Sequence, residues 1–327
     1  MNTLLPEQQS IFLRASVCNV CNFSCLYCVF DLGMENHTPF GINAPLLSID
    51  EYIRNMKFIA KHGFKNISIT GGEPLLNPEI PQILKFCREI FETIELTTNG
   101  TKLIDYIKVI KKYVDMLKIS IDAIDPCLSV KIARNPEAAK ITELIEECCN
   151  AGLKSIGLNF VYMKQNELEL ISLMEFAYIL KRKYGTEIGI RILDLYCSGG
   201  NKDFWKEQFV PLSEVRKRLL NEGVKISRRI RIGCDSYAYT WNGLFITMKD
   251  SITATSRSKI CDTCVEYCQE GIYSLKHSAS GWLSVCPSNS VNLGTLLSKD
   301  IKEDIAHQKI DPFVEILNTI KRIEYNS

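Results

Sequence analysis

No charge of one sign dominates this chain. Its 39 Lys and Arg face 38 Asp and Glu, a formal net charge of +1, so it lacks the global electrostatic footprint of a protein that binds nucleic acid or an anionic membrane. Any charged partner has to be met locally. No apolar run approaches the roughly 20 residues that span a bilayer, and the opening MNTLLPEQQS has neither the basic nor the apolar region of a secretory signal. The expected address is the cytoplasm, with neither nucleic acid nor membrane as partner. Internal repeats and low-complexity linkers are also missing. What is present is 46% hydrophobic, 24% charged and 9% aromatic residues, the composition of a globular protein of enzyme size, which excludes disorder and fibres. At 327 residues, one large α/β barrel with a small appendage is as plausible as two ordinary domains.

Cysteine is the residue in excess. There are 14, and a chain without a secretory signal sits where thiols stay reduced, so metal or cluster ligation is the first explanation for those that cluster. They do so at Cys18, Cys21, Cys25 and Cys28, and again at Cys261, Cys264, Cys268 and Cys286. Cys87, Cys127, Cys148, Cys149, Cys197 and Cys234 are scattered and read, for the most part, as small buried hydrophobes.

The first two thirds of the chain alternate short β-rich runs with longer helix-period stretches. Strands are expected at Phe12–Val17, Asn66–Thr70, Ile94–Thr98, Met116–Ile121, Ser155–Met163 and Ile188–Asp194. Ser48 with Glu51 forms a capping box ahead of Ile49, Ile53, Met56 and Ile59. Asn135 followed by Pro136 reads as a helix start leading to Ile141, Leu144, Ile145 and Cys148, and Asn166 opens a helix carrying Leu168, Ile171, Met174 and Tyr178. Six strand-then-helix units imply a parallel sheet with right-handed crossovers, doubly wound or a partial barrel, with chemistry at the C-terminal strand ends. After about Gly223 the pattern changes to short pieces, Val224–Ile226, Tyr237–Trp241 and Leu244–Met248, then the second cysteine cluster and a closing helical segment around Ile301–Ile323. The expected organisation is thus a barrel over residues 1–222 and an appendage over 223–327, packed on the barrel mouth.

Cys21-Asn-Phe-Ser-Cys25-Leu-Tyr-Cys28 follows the first strand. Three thiolates in one loop suit three irons of a cubane cluster, leaving the fourth iron open. The competing reading is a zinc knuckle on Cys18, Cys21, Cys25 and Cys28, but only three residues separate its two pairs, too few to wrap one tetrahedral ion comfortably. Thr70-Gly71-Gly72-Glu73-Pro74 follows the second strand; two glycines permit close backbone approach to a ligand, and a carboxylate accepts hydrogen bonds from an ammonium. These two elements together resemble the signature of the radical S-adenosylmethionine (SAM) superfamily. The resemblance implies a four-iron four-sulfur cluster on Cys21, Cys25 and Cys28, and SAM chelated to its open iron. Glu73 would hold the SAM amino group beside Gly71, Gly72 and Pro74, and Tyr27 would lie near the adenine. Thr98, Asn99, Ser120, Asp122, Asn159 and Arg191 would contact the rest of SAM from later strand ends.

The likeness extends further. Leu13-Arg14-Ala-Ser-Val-Cys18 running into the cysteine loop is similar to the opening of the GTP 3′,8-cyclases of molybdenum-cofactor synthesis, and Ile190-Arg191-Ile-Leu-Asp194 with its Gly199-Gly200-Asn201 exit is similar to their sixth strand. The resemblance covers roughly residues 10 to 290. It implies a partial (β/α)6 TIM-type barrel with a C-terminal iron–sulfur appendage, where Cys261, Cys264, Cys286 and the additional Cys268 hold a second four-iron four-sulfur cluster. Departures bear on the substrate. The cyclases carry an Asn-Arg-x-Arg run whose arginines hold GTP; counting back from Cys286, those arginines become Ser274 and Lys276, and the Gly-Gly tail is replaced by Glu-Tyr-Asn-Ser. A substrate other than GTP is expected, in a pocket that still suits anions through Arg14, Arg191 and Lys276.

The function expected is therefore reductive cleavage of SAM to a 5′-deoxyadenosyl radical, followed by hydrogen abstraction from a small anionic substrate, with a nucleotide, nucleoside or sugar nucleotide first in line. An electron donor such as flavodoxin or ferredoxin is implied. Cys197, at the sixth strand's exit, is a candidate to return a hydrogen atom to the product. A maturase acting on a ribosomally made peptide is the alternative, disfavoured because only about ten residues precede the first strand. A non-catalytic zinc scaffold would leave Glu73 and its glycines unexplained.

Overall fold

The computed structural model describes residues 12–28, 45–197, 201–231, 234–249, 274–284 and 292–295. Six strands alternate with helices: β1 (Phe12–Ser16), α1 (Ile49–Lys61), β2 (Asn66–Thr70), α2 (Ile80–Ile90), β3 (Thr93–Thr98), α3 (Leu103–Tyr113), β4 (Met116–Ser120), α4 (Pro126–Ala133), α5 (Ile141–Asn150), β5 (Ser155–Tyr162), α6 (Glu169–Tyr184) and β6 (Glu187–Asp194). Then come α7 (Lys202–Gln208), α8 (Leu212–Asn221), β7 (Lys225–Arg231), β8 (Cys234–Trp241), β9 (Leu244–Lys249), β10 (Ser274–His277), β11 (Trp282–Ser284) and β12 (Asn292–Thr295). The twelve strands belong to one sheet, in the order β12-β11-β10-β1-β2-β3-β4-β5-β6-β9-β8-β7. β1 to β6 pair in parallel with their sequence neighbours, which is the partial barrel expected. β12 and β7 are its two edges, so the sheet is open. Two strands from beyond residue 223 extend the parallel run, β9 beside β6 and β10 beside β1.

The helix starts follow local chemistry. Ser48 accepts from the Glu51 amide while the Glu51 carboxylate reaches back to the Ser48 amide, closing the capping box on α1. Asn135 does cap Glu137, but the turn that Pro136 begins is a 3₁₀ turn over Pro136–Lys140, and α5 starts only at Ile141. Asn166 likewise lies before its helix: its Oδ1 accepts from the Met163 amide, and its Nδ2 donates to the carbonyls of Asp122 and Val161. It ties the ends of β4 and β5 together.

Strand alternation sorts the two faces of the sheet. Leu13, Ile67, Ile94, Leu96, Leu117, Ile119, Ile156, Leu158, Ile188 and Ile190 are fully buried against Met56, Ile59, Ile83, Leu84, Ile110, Ile145, Leu173 and Met174 of the helices. Each such side chain contributes roughly 1.5–3 kcal/mol of burial. The opposite face, which turns into the barrel, carries Arg14, Ser68, Glu95, Lys118, Asn159 and Arg191. Apolar packing outside thus holds a polar interior in place.

Candidate active site

The cysteine loop is fastened at several points. Ser24 and Leu26 donate backbone hydrogen bonds to Ala133 and Ile132 at 3.1 and 2.9 Å, and Asn135 Nδ2 donates to the Asn22 carbonyl at 2.7 Å. Cys21, Cys25 and Cys28 are all partly buried thiols. Burial and their mutual proximity push Cys21 and Cys25 upward from the ordinary thiol range, so cations have to hold them as thiolates, and cluster iron supplies them. Cys18 is different. It is 3% exposed and its thiol donates to the Glu73 carbonyl at 3.1 Å, which uses it to join loop and turn. Among the described residues no three His, Cys, Asp or Glu side chains converge on a single-ion site. The bond made by Cys18 commits its thiol to the Glu73 carbonyl and takes it out of a four-thiolate knuckle with Cys21, Cys25 and Cys28.

The Gly-Gly-Glu-Pro turn packs directly on that loop. The Gly72 amide donates to the Cys18 carbonyl at 3.2 Å and the Glu73 amide to the Val20 carbonyl at 2.8 Å. A Cβ on Gly72 would lie 2.2 Å from the Val20 carbonyl oxygen, and one on Gly71 would lie 2.8 Å from the Cys18 sulfur. The glycines are therefore required first by the cysteine loop itself. Pro74 opens a short 3₁₀ turn behind them.

Glu73 is 1% exposed. Its Oε1 accepts from Thr98 Oγ1 at 2.6 Å and from the Leu75 amide at 3.0 Å, and its Oε2 from the Asn99 amide at 2.6 Å. Burial pushes its carboxyl up to about 7 against the pull of these donors. Three donors leave part of the carboxylate's acceptor capacity for an ammonium. Asn99 in turn donates through Nδ2 to Asn22 Oδ1 at 2.8 Å, with Cys21 Sγ 3.8 Å away. Tyr27, expected beside the adenine, donates to Asp122 Oδ2 at 2.7 Å, while Asp122 Oδ1 accepts from the Val161 amide at 3.0 Å. Burial raises Asp122 to about 6. Ser120, Asn159 and Arg191 stand side by side in register on β4, β5 and β6. Asn159 Oδ1 is buried without a hydrogen-bond partner. Thiol donors, a carboxylate with spare capacity and this orphaned oxygen fit a cluster with an amino-acid ligand.

Deeper in the barrel, Arg14 on β1 is in register with Lys276 on β10. Lys276 is fully buried, its amine 3.4 Å from Ser274 Oγ. The alignment that set Ser274 and Lys276 in the cyclase arginine positions thus places both on the strand beside Arg14. Two further charges went unread in the sequence. Glu95 on β3 pairs with Lys118 on β4, their side chains 13% and 6% exposed, and their signal was available in the alternation of Thr-Ile-Glu-Leu and Leu-Lys-Ile-Ser. Burial would raise Glu95, but Lys118 and Arg191, with a hydrogen bond from Ser68, outweigh it and lower the carboxyl. Burial and Arg191 lower Lys118 to about 8, Glu95 opposing. Cys197 is buried just past β6. Cys261, Cys264, Cys268 and Cys286, residues 198–200 and the expected helix at 301–323 lie outside the described residues.

An open α/β barrel with a three-cysteine loop at the C-terminal end of its first strand, braced by a Gly-Gly-Glu-Pro turn on the second, defines the class of radical SAM proteins. Residues 15–177 match the Radical SAM superfamily, and this chain carries that domain, which implies a four-iron four-sulfur cluster and SAM. It is 29% identical over 213 residues to the GTP 3′,8-cyclase of Limosilactobacillus fermentum, covering 64% of this chain and 61% of that protein. The Petrotoga mobilis GTP 3′,8-cyclase is 26% identical over 304 residues, covering 89% and 87%. The chain spans about three fifths of the length of several curated relatives it matches. Among solved structures, Streptococcus suis SuiB bound to precursor peptide SuiA superposes with a TM-score of 0.62 at 17% identity, over 90% of this chain and 64% of that one. At that identity the likeness is one of fold. No helix among the described residues is long and apolar enough to cross a membrane.

Proposed function

We propose that this protein is a radical SAM enzyme acting on a small anionic substrate, a nucleotide, nucleoside or sugar nucleotide, held in the barrel below the cysteine loop. The carrying observation is that Glu73 joins Thr98 and Asn99 on one side and, through its own backbone, Cys18 and Val20 of the cysteine loop on the other. Cluster and SAM together supply one-electron cleavage of the sulfonium, with release of methionine and a 5′-deoxyadenosyl radical. The chain's own residues then have four tasks. Cys21, Cys25 and Cys28 hold three irons; Glu73 and Asn159 present acceptor oxygens to SAM; Tyr27 and Asp122 close the site's floor through their mutual hydrogen bond. Arg14, Arg191 and Lys276 orient the substrate's anionic group. A flavodoxin or ferredoxin is the electron donor of choice, and Cys261, Cys264, Cys268 and Cys286 are assigned to a second cluster.

The test is the C21A/C25A/C28A variant, in which 5′-deoxyadenosine formation under dithionite should vanish; undiminished cleavage would sink the assignment. With substrate deuterated at the reacting carbon, the label should appear in 5′-deoxyadenosine. Unchanged product and rate in Cys197→Ala would remove that thiol as the returning hydrogen donor. The second reading, a peptide maturase, is supported by the fold likeness to a protein solved with a precursor peptide. The cation-rich barrel interior favours the small anion.

A further inference from the structure

The cysteine loop rests on a cationic segment that the binding of SAM or substrate does not use. The Ser24 and Leu26 amides donate to the Ala133 and Ile132 carbonyls at the end of α4, and Asn22 Nδ2 donates to Thr101 Oγ1 at 3.0 Å and to Glu137 Oε2 at 3.1 Å. Ser129 Oγ donates to the Ala138 carbonyl at 2.9 Å, which locks the 3₁₀ turn carrying Glu137 onto α4. Residues 126–140 therefore support the loop as one piece. They carry Lys131, Arg134 and Lys140 against a single carboxylate, Glu137. All three cations are exposed, and among the described residues none of their side chains has an ion pair or hydrogen bond. The carboxylate is already engaged by Asn22.

Arg134 is set apart by its backbone. It ends α4 in the left-handed conformation, with φ 52° and ψ 35°, where a Cβ is sterically costly and glycine is the usual occupant. A long charged side chain kept there without a partner in the chain points to a partner outside it. Apolar surface borders the same support. Val20, just before Cys21, is 52% exposed, and Ile104, two residues past Lys102, is 41% exposed. Single exposed apolar side chains are ordinary, but beside a cationic surface they complete the anatomy of a protein contact, an apolar centre with a polar rim.

We propose that Lys131, Arg134 and Lys140 form the docking surface for an acidic flavodoxin, with Val20 and Ile104 meeting the apolar edge of its flavin. This rests on the radical SAM reading above and names where its reductant binds. Complementary charge selects and steers such a partner, and a carrier seated here lies against the segment that holds the cluster. A flavin carrier fits better than an iron–sulfur one because the dimethylbenzene edge of its cofactor is itself an apolar surface for Val20 and Ile104. One electron passes from the anionic flavin hydroquinone, which is left as the neutral semiquinone, to the cluster on Cys21, Cys25 and Cys28. No bond forms or breaks, and no proton moves.

The experiment is calorimetric titration of an acidic flavodoxin into the cluster-loaded full chain at low ionic strength, followed by stopped-flow reduction of the cluster by the flavodoxin hydroquinone. In the K131E/R134E/K140E variant affinity should fall about tenfold or more, and reduction should slow to match. Arg134→Gly removes one charge while suiting the left-handed backbone, so it should fold at least as well as wild type and bind about threefold more weakly. K85E/K108E/K112E, which reverses a second cationic groove between α2 and α3, should bind as wild type does. Dithionite should drive 5′-deoxyadenosine formation equally in wild type and all variants. No flavodoxin binding by wild type, undiminished affinity in K131E/R134E/K140E, or an equal loss from the α2–α3 variant would overturn the docking surface. Binding of an acidic ferredoxin there in place of flavodoxin would overturn the occupant. A wild type that makes no 5′-deoxyadenosine even with dithionite would instead overturn the radical SAM reading.

Discussion

At Gly72 the absent side chain matters because of the neighbouring strand-end loop. A methyl group there would sit 2.2 Å from the Val20 carbonyl oxygen and 3.0 Å from the Cys21 amide nitrogen, both backbone atoms that cannot rotate aside. Gly72→Ala must therefore push the cysteine loop off the turn. It should cost about 1–3 kcal/mol, the usual range for overpacking, and lower the iron retained by the N-terminal cluster. Gly157→Ala, whose methyl would meet Lys118 Cγ at an ordinary 3.5 Å, should melt within a few degrees of wild type. Equal melting temperatures and iron contents for Gly72→Ala and wild type would refute the packing account. At this scale the sequence was legible where chemistry concentrates in a short motif. The cysteine loop and the Gly-Gly-Glu-Pro turn, each read from a short motif, pack on one another. Glycine was read as room for a ligand, and the structure adds that the chain itself already needs that room at Gly71 and Gly72. Alternation marks Glu95 and Lys118 as charges on the inner face, but that they meet each other depends on strand pairing, which the sequence does not carry.

Strand β10 shows what an element can conceal. Its four residues Ser274–His277 are buried on both faces, so the alternation that betrays a surface-facing strand is missing, and its place beside β1 was not foreseeable from so short a run. The longer strands and α1 were legible because one face of each is apolar and the other is not. β10 is attached to α1 through His277, whose Nε2 lies 3.1 Å from Asn55 Nδ2 and whose ring meets Tyr52 edge-on at 5.5 Å between centroids. Burial lowers His277 from 6.5 to about 3. The folded state therefore favours the neutral ring. Stability is complete above pH 6.5, declines as the unfolded chain alone takes up the proton, and is lost from this source as pH falls towards 3. Between pH 6.5 and 5 the loss should approach 2 kcal/mol at the 1.36 kcal/mol per unit that linkage dictates. His277→Gln keeps a hydrogen-bonding partner for Asn55 but does not titrate. Chemical denaturation from pH 7.5 to 5 should show wild type weakening more steeply than the variant. Parallel curves would remove the histidine as the cause.

Taken as a whole molecule, a chain of net charge +1 places Arg14, Lys118, Arg191 and Lys276 on the inner side of its described strands, a local concentration that whole-chain composition hides. Cysteine is distributed the same way. The N-terminal loop holds three of the 14 within eight residues, and Cys261, Cys264 and Cys268 form a second group of the same density, with Cys286 further on. β9 and β10, which flank the first three of these cysteines in sequence, join opposite sides of the parallel run. Residues 250–273, between them in sequence, carry three of the four thiols. Cys286 follows β11, which pairs with β10. Four thiolates saturate every iron, suiting the cluster to electron relay or potential tuning; three would leave an iron for substrate. In the C21A/C25A/C28A variant, purified anaerobically, about four irons per chain should remain, with an iron–sulfur EPR signal on reduction. Zinc in their place would make the group a structural knot. A signal that shifts on adding substrate would show an open iron and release Cys268 from the ligand set.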